Sequence, residues 1–235
     1  MRRVVIICMM ILGVALHVTA QSAVFESVRA TRDVAPDTNP DASFWREAKP
    51  VFTDRGRMGE QHESFRTEIR SRWTKKYLYL LFVCPYETLY LKPNSDTKAE
   101  TNQLWNWDVA EAFIGSDFEN IRRYKEFEIS PQGEWVDLDI DLINSKPGGG
   151  WEWNSGFVVS ARIDAVAKVW YGVMKIPFSA LSDQQPDKGR EFRINLFRSQ
   201  GEGDGLVQIC WQPSMSRTFH VPEKFGLLRL VGKPE

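Results

Sequence analysis

Alternation of apolar and polar positions dominates the chain. Phe65 to Trp73 (FRTEIRSRW) alternates, whereas Tyr77 to Cys84 (YLYLLFVC) is apolar at nearly every position. Thr74-Lys75-Lys76 separates the two runs, which predicts a hairpin whose second strand is buried on both faces, at the centre of a sheet. Further strands are predicted at Asp108 to Ile114, Tyr124 to Ile129 (YKEFEI) and Glu134 to Ile140 (EWVDLDI). The last two are joined as a hairpin through Ser130-Pro131-Gln132-Gly133.

After a loop containing Gly148-Gly149-Gly150, Phe157 to Ile163 and Lys168 to Ile176 predict another hairpin, and Pro177 to Leu181 a short helical turn. Glu191 to Arg198, Leu206 to Trp211 and Phe225 to Val231 complete the set. Roughly ten short strands without a long helical period predict an all-β fold, an antiparallel β-sandwich of the immunoglobulin or jelly-roll kind.

The N-terminal end reads differently. Residues 1–20 combine Arg2 and Arg3, an apolar run to Leu16 and a small-residue Val18-Thr19-Ala20 end, the layout of an export signal cleaved after Ala20. A secreted or periplasmic protein follows from it, with no membrane attachment after cleavage. Residues 21–43 read as a polar lead-in with Pro36 and Pro40 and room for one edge strand, and residues 44–235 as one domain.

Thirty basic and 31 acidic residues leave a formal charge of -1, which lacks the electrostatic footprint of a nucleic-acid or anionic-lipid binder. Beyond residue 20 two cysteines remain, Cys84 and Cys210. A disulfide between them and two buried free thiols are both compatible with the sequence.

The candidate chemistry begins at Leu104-Trp-Asn-Trp-Asp-Val-Ala-Glu111, where two indoles and two carboxylates crowd the start of a strand. Strand alternation puts Val109, Glu111 and Phe113 on one face. On the expected hairpin register, Glu126, Glu128, Trp135, Asp137 and Asp139 share one polar sheet face, continued by Arg193 and Asn195, with Arg198 at its strand's end. Indoles flanked by carboxylates, amides and guanidinium groups suit a sugar, whose ring face stacks and whose hydroxyls take planar hydrogen-bond partners. An ordinary solvated face with salt bridges would carry the same acids, so the argument rests on Trp105.

Asp137, Asp139 and Asp141 alternate like a hard-cation cluster, and calcium at Asp137 and Asp139 is the metal expectation, although the Gly-turn and terminal Glu of the EF-hand loop are missing. Catalysis has less support: no Gly-x-Ser-x-Gly, His-Glu-x-x-His or Cys-x-x-Cys occurs. Two carboxylates suffice for a glycosidase, yet exposed acids on a sheet face would have no apolar pocket to raise one pKa.

Five motifs occur in order: Trp105-x-x-Asp108-x-x-Glu111-x-Phe113-Ile114, Tyr124-x-x-Phe127-Glu128-Ile129-Ser130-Pro131-x-Gly133, Lys175-Ile176-Pro177-Phe178-x-Ala180-Leu181, Asn195-x-Phe197-Arg198 with Trp211-x-Pro213, and Phe219-His220-x-Pro222-Glu223-x-Phe225-Gly226. Together, from about Phe44 to Val231, they resemble the family 9 carbohydrate-binding modules and their stand-alone relatives in the DOMON-like superfamily.

The resemblance implies a non-catalytic β-sandwich that grips a terminal sugar between two aromatic rings, sometimes with structural calcium. Trp105 falls at the first ring and Glu111 at an acidic hydroxyl partner, while Trp107 and Asp108 anchor the loop. Trp211 and Phe219 both stand for the second ring. The implied sugar contacts are Trp105, Glu111, Glu128, Arg198, Trp211, Phe219 and His220, and the implied partners are an oligo- or polysaccharide and a glycoside hydrolase acting on it. A haem-binding electron-transfer domain is the alternative, with Met58, Met174, Met215, His62 and His220 as its axial candidates. A small glycoside hydrolase and a structural partner of a surface complex are the remaining readings.

Overall fold

The computed structural model describes residues 22–232. The expected export signal lies outside the described residues.

Thirteen strands form one continuous sheet among these residues. In chain order they are β1 (Val24–Arg29), β2 (Val51–Thr53), β3 (Arg55–Gly56), β4 (Thr67–Trp73), β5 (Tyr77–Pro85), β6 (Val109–Gly115) and β7 (Arg123–Ile129). β8 (Trp135–Asp141), β9 (Val158–Asp164), β10 (Val169–Pro177), β11 (Glu191–Gln200), β12 (Val207–Cys210) and β13 (Gly226–Val231) follow. One helical turn, α1 (Phe178–Leu181), stands where Pro177-Phe-Ser-Ala-Leu predicts it.

The strands run in the order β8-β7-β6-β11-β13-β1-β4-β5-β10-β9. This path curls so that its two halves face each other. Ala110, Ala112 and Ile114 of β6, Phe127 and Ile129 of β7 and Ile194 and Leu196 of β11 meet Leu80, Phe82 and Cys84 of β5 and Trp170 and Met174 of β10 in one central core. The all-β sandwich is therefore what the alternation predicts.

Each half also buries its outer face. Tyr79, Leu81 and Val173 are covered by Trp45 with Val34, Ala42 and Phe44, so β5 is buried on both faces as its unbroken apolar run requires. On the other half, Val109, Phe113, Tyr124, Val136, Leu138, Ile140 and Phe197 pack beneath loop residues Leu104, Phe219 and Phe225.

Two expectations are corrected. β1 is no edge strand: it pairs in parallel with both β13 and β4, so the lead-in supplies an inner strand and the sandwich is not wholly antiparallel. Its polar Ser27 is fully buried and shares a hydrogen bond with Ser71 Oγ at 2.8 Å, so the half-polar sequence VFESVR is deceptive.

Second, the β7–β8 hairpin pairs Ile129 with Trp135 and Glu128 with Val136, one residue off the expected register. Five residues, Ser130–Glu134, form the loop instead of four. A one-residue shift exchanges the faces, so Glu126 and Glu128 lie with Val136 and Leu138, while Trp135, Asp137 and Asp139 lie with Phe127 and Lys125.

Of the two states left open for the cysteines, the structure has Cys84 and Cys210 as free buried thiols. Cys84 belongs to the central core and Cys210 to the outer cluster, and burial pushes each thiol up to about 12.

Candidate functional site

β6 reads Val-Ala-Glu-Ala-Phe-Ile-Gly, with small or branched Ala110, Ala112 and Ile114 packed into the central core and Val109, Glu111 and Phe113 on the outer face. Glu111 is flanked by Glu128 on β7 and Phe197 on β11, and Phe113 by Glu126 and Asn195. Three glutamates thus share the outer face of two adjacent strands, and one carboxylate oxygen from each lies within 4.8 Å of the others. They are not on a solvated face, because all three are buried.

Burial pushes Glu111 up to about 8, helped by the charge of Glu126. Burial likewise raises Glu126 to about 7. Glu128 is raised well above the ordinary glutamate range, by burial and then by the charges of Glu111 and Glu126. The expectation that exposure leaves these acids unperturbed is overturned, for the loops roof them over.

A cleft of about 530 Å³ opens above this floor. Phe113, Leu138 and Ile140 line its apolar base, with Glu111, Glu126 and Ser199 as polar points. One wall is Trp105, on a single helical turn Leu104–Asn106 whose Leu104 is fully buried as an anchor. Asp108 fixes that turn: its two carboxylate oxygens accept the backbone N–H of Tyr90 at 3.0 Å and of Gly201 at 2.7 Å. Asp108 thereby ties the segments at Tyr90 and Gly201 to the residue that follows the Trp105 turn.

Opposite stand Phe219 and His220. Phe219 stacks on Phe197, with centroids 4.2 Å apart and planes 22° apart. His220 stacks on Phe113 at 5.1 Å, and its Nδ1 hydrogen-bonds the Tyr124 hydroxyl at 2.5 Å. Burial lowers its pKa, which favours the neutral ring. Ser145, Lys146 and Gly149 form a third side, while Gln208, Arg57 and Arg217 add donors. Gly150 secures the third side, for at φ +92 a Cβ there would lie 2.3 Å from the Asp139 carbonyl oxygen.

Of the residues singled out in the sequence, Trp105, Glu111, Phe219 and His220 meet in this cleft. Only Trp105 among the aromatic residues lining it is exposed, at 39 %; Phe219 is 8 % exposed. Glu128 lies beneath the cleft, within the glutamate cluster.

Arg198 and Trp211 lie elsewhere. Arg198 is opposite Ala110 on the inner side, fully buried, with its guanidinium donating to Thr67 Oγ1 at 3.0 Å and to Gln200 Oε1. Strand alternation sends it away from Glu111. Trp211 packs on Phe25, and a Cβ at Gly226 would lie 2.5 Å from its ring.

Asp137 and Asp139, the calcium candidates, lie on the other face of the sheet from the glutamates, and Asp137 Oδ1 is buried without a partner. Asp139 is paired with Lys125 at 2.6 Å and with Lys146. Asp137 accepts hydrogen bonds from the backbone N–H of Ser155 at 2.9 Å and from its hydroxyl.

Glu126, Gln208, Arg217 and Lys146 were not singled out as site residues. Glu126 had a signal, sitting two residues before Glu128 on the same strand face. The others arrive from distant segments, with nothing local to mark them.

Residues 37–233 match the family model described as Carbohydrate family 9 binding domain-like. The fold resembles a candidate carbohydrate-binding protein from Bacteroides uniformis, with a TM-score of 0.70 at 16 % identity over 89 % of this chain and 99 % of that one. It also resembles a family 9 carbohydrate-binding module from Caldicellulosiruptor kristjanssonii. The module's complex with cellotriose gives a TM-score of 0.62 at 12 % identity, over 91 % of this chain and 96 % of that one. Its complex with glucose gives 0.63 at 12 % identity, over 91 % and 98 %. An extracellular protein of Arthroderma benhamiae is 22 % identical over 178 residues, spanning 70 % of this chain and 78 % of that protein.

Proposed function

The chain belongs to the carbohydrate family 9 binding domain-like family, and from that membership we propose that it is an exported, non-catalytic saccharide-binding protein that uses the Trp105 cleft. The observation that carries this reading is the exposed Trp105 indole beside a buried carboxylate: an apolar platform next to an oriented hydroxyl acceptor is what a pyranose needs. Glu111 takes the hydroxyl, Phe219 and His220 close the far side, and Lys146, Gln208 and Arg217 donate from the rim. Glu128 lies directly opposite Glu111 on the neighbouring strand, beneath the cleft. Arg198 and Trp211 support the sheet rather than the sugar.

Glucose-based saccharides are the first ligands to consider, since one relative is solved with cellotriose and with glucose. A sugar must give up strong hydration to bind, so the affinity falls on the order of micromolar to millimolar. A role in polysaccharide breakdown beside a glycoside hydrolase, the DOMON-like relationship and an extracellular location belong to the same proposal; the Arthroderma relative is itself described as extracellular.

Hydrolysis by this chain is disfavoured by placement. A glycosidase sets its two carboxyl groups on either side of the scissile bond, whereas Glu111, Glu126 and Glu128 share one sheet face. Of the axial candidates for the haem alternative, Met174 is buried in the central core, and His220 Nδ1 is engaged by Tyr124.

Isothermal titration with glucose and cellotriose, comparing the chain with Trp105→Ala, tests the proposal. We expect saturable binding that weakens at least tenfold in the variant, about 1.4 kcal/mol. Equal affinities would remove Trp105 from the site, and no heat from either sugar in the folded chain would sink the reading.

A further inference from the structure

The glutamate cluster holds more acid than a sugar hydroxyl requires. Glu111 and Glu128 are directly opposite on neighbouring strands, and Glu126 joins them from the same face. Like charges so placed repel, and burial opposes each of them separately. Among the described residues every ion pair lies elsewhere, so no lysine, arginine or histidine compensates the three.

A second observation concerns Glu128 itself. It is fully buried, yet its carboxylate oxygens have no hydrogen-bond partner outside the cluster, their one contact being with Glu126, whose Oε2 likewise has no outside partner. Buried polar atoms in folded proteins are almost always satisfied, so two unpaired side chains aimed at one point mark a missing ligand rather than a packing choice. Oxygens within 4.8 Å of one another fit the shell of a hard cation, whose ligands stand about 2.3–2.6 Å from calcium and so up to roughly twice that from each other.

The surroundings agree with a ligand set. Ser199 Oγ donates to Glu111 Oε1 at 3.3 Å, and Gln208 Nε2 donates to Ser199 Oγ at 3.3 Å, an outer shell that orients the carboxylate. Glu111 and Glu126 line the cleft, which gives an ion a route in from solvent.

We propose that Glu111, Glu126 and Glu128 form a divalent-cation site of the calcium class in the floor of the cleft, with coordination positions left open on the cleft side. The site stands apart from Asp137 and Asp139 and needs no sugar. Its raised carboxyl affinities for protons follow from the same crowding, since a proton and a cation relieve the same repulsion.

The test is calorimetric titration of chelator-treated chain with calcium chloride at mildly alkaline pH, without sugar, together with thermal unfolding at rising calcium. One saturable site and a Tm that climbs with calcium are expected. Glu128→Gln and, as a second variant at the cleft surface, Glu126→Gln should each weaken calcium at least tenfold, while Asp139→Asn leaves it unchanged. A wild-type Tm indifferent to calcium would mean that protons alone satisfy the cluster, and the proposal would fall. It would fall equally if both glutamine variants bound calcium as the parent does. The sugar titration is a separate experiment, so either reading can fail without the other.

Discussion

Glu128 shows how a single side chain can set the molecule's response to pH. Its folded-state pKa is raised, as are those of Glu111, to about 8, and Glu126, to about 7. The native state therefore holds protons that the unfolded chain, titrating near an ordinary glutamate value, releases earlier. The stability contributed by these protonated acids is complete below about pH 4.5 and is lost as pH rises through about 7 to 8. In buffer free of divalent cations, Tm should fall between about pH 5 and about pH 8, and Glu128→Gln should flatten that slope in a thermal melt series. Asp139 and Asp141 are shifted the other way, by their lysine and backbone partners respectively, so the stability they contribute is present above about pH 4 and is lost only as the pH becomes strongly acidic. Asp108 offers a second residue-level test. Its carboxylate satisfies two backbone donors, so Asp108→Ala should cost about 2–4 kcal/mol by denaturant unfolding and, by loosening the turn under Trp105, weaken sugar binding as well. Trp105, Glu111 and Asp108 were legible in the sequence because they crowd one short motif. The burial of the glutamates was not, since alternation tells which side a residue faces but not whether a loop covers that side.

The β7–β8 hairpin carries the clearest lesson among the elements. Both strands alternate cleanly, and each alternation is compatible with either register; the loop length alone decides. Ser-Pro-Gln-Gly reads as a four-residue turn, but Ser130 recruits Glu134 into the loop. Its hydroxyl donates to the Glu134 carboxylate and accepts the Glu134 N–H at 3.1 Å and the Gln132 N–H at 3.2 Å. This side-chain closure places Asp137 and Asp139 on the face away from the glutamates. Ser130→Ala should accordingly destabilise the chain by about 1–3 kcal/mol in denaturant unfolding, because two loop N–H groups and a buried carboxylate lose their partner. The loop after β8 makes a comparable division. Trp151 packs on the outer cluster and Trp153 on the central core, against Phe127 and beneath Lys125 at 4.3 Å. The glycines flagged the loop, but no period exists in so short a segment to say where each indole goes.

For the whole molecule, class and the hairpins β4–β5 and β9–β10 were legible because local alternation and turn residues encode them, whereas the short β2 and β3 brought the strands to thirteen rather than roughly ten. The order of strands was not, because it depends on pairings between distant segments, above all those of β1. That strand joins the two halves of the sheet, with Leu227–Val231 on one side and Arg72 and Trp73 on the other. Deleting residues 22–30 should abolish cooperative thermal unfolding, since it removes buried Phe25 and Val28 and leaves β13 and β4 without their common neighbour. The same pairing has a temporal side. Val24 meets Leu227, one of the first described residues against one of the last, so loop closure across nearly all of the described residues precedes completion of the sheet. A chain emerging from the ribosome holds its opening strand unpaired on that side until its closing strand has been made.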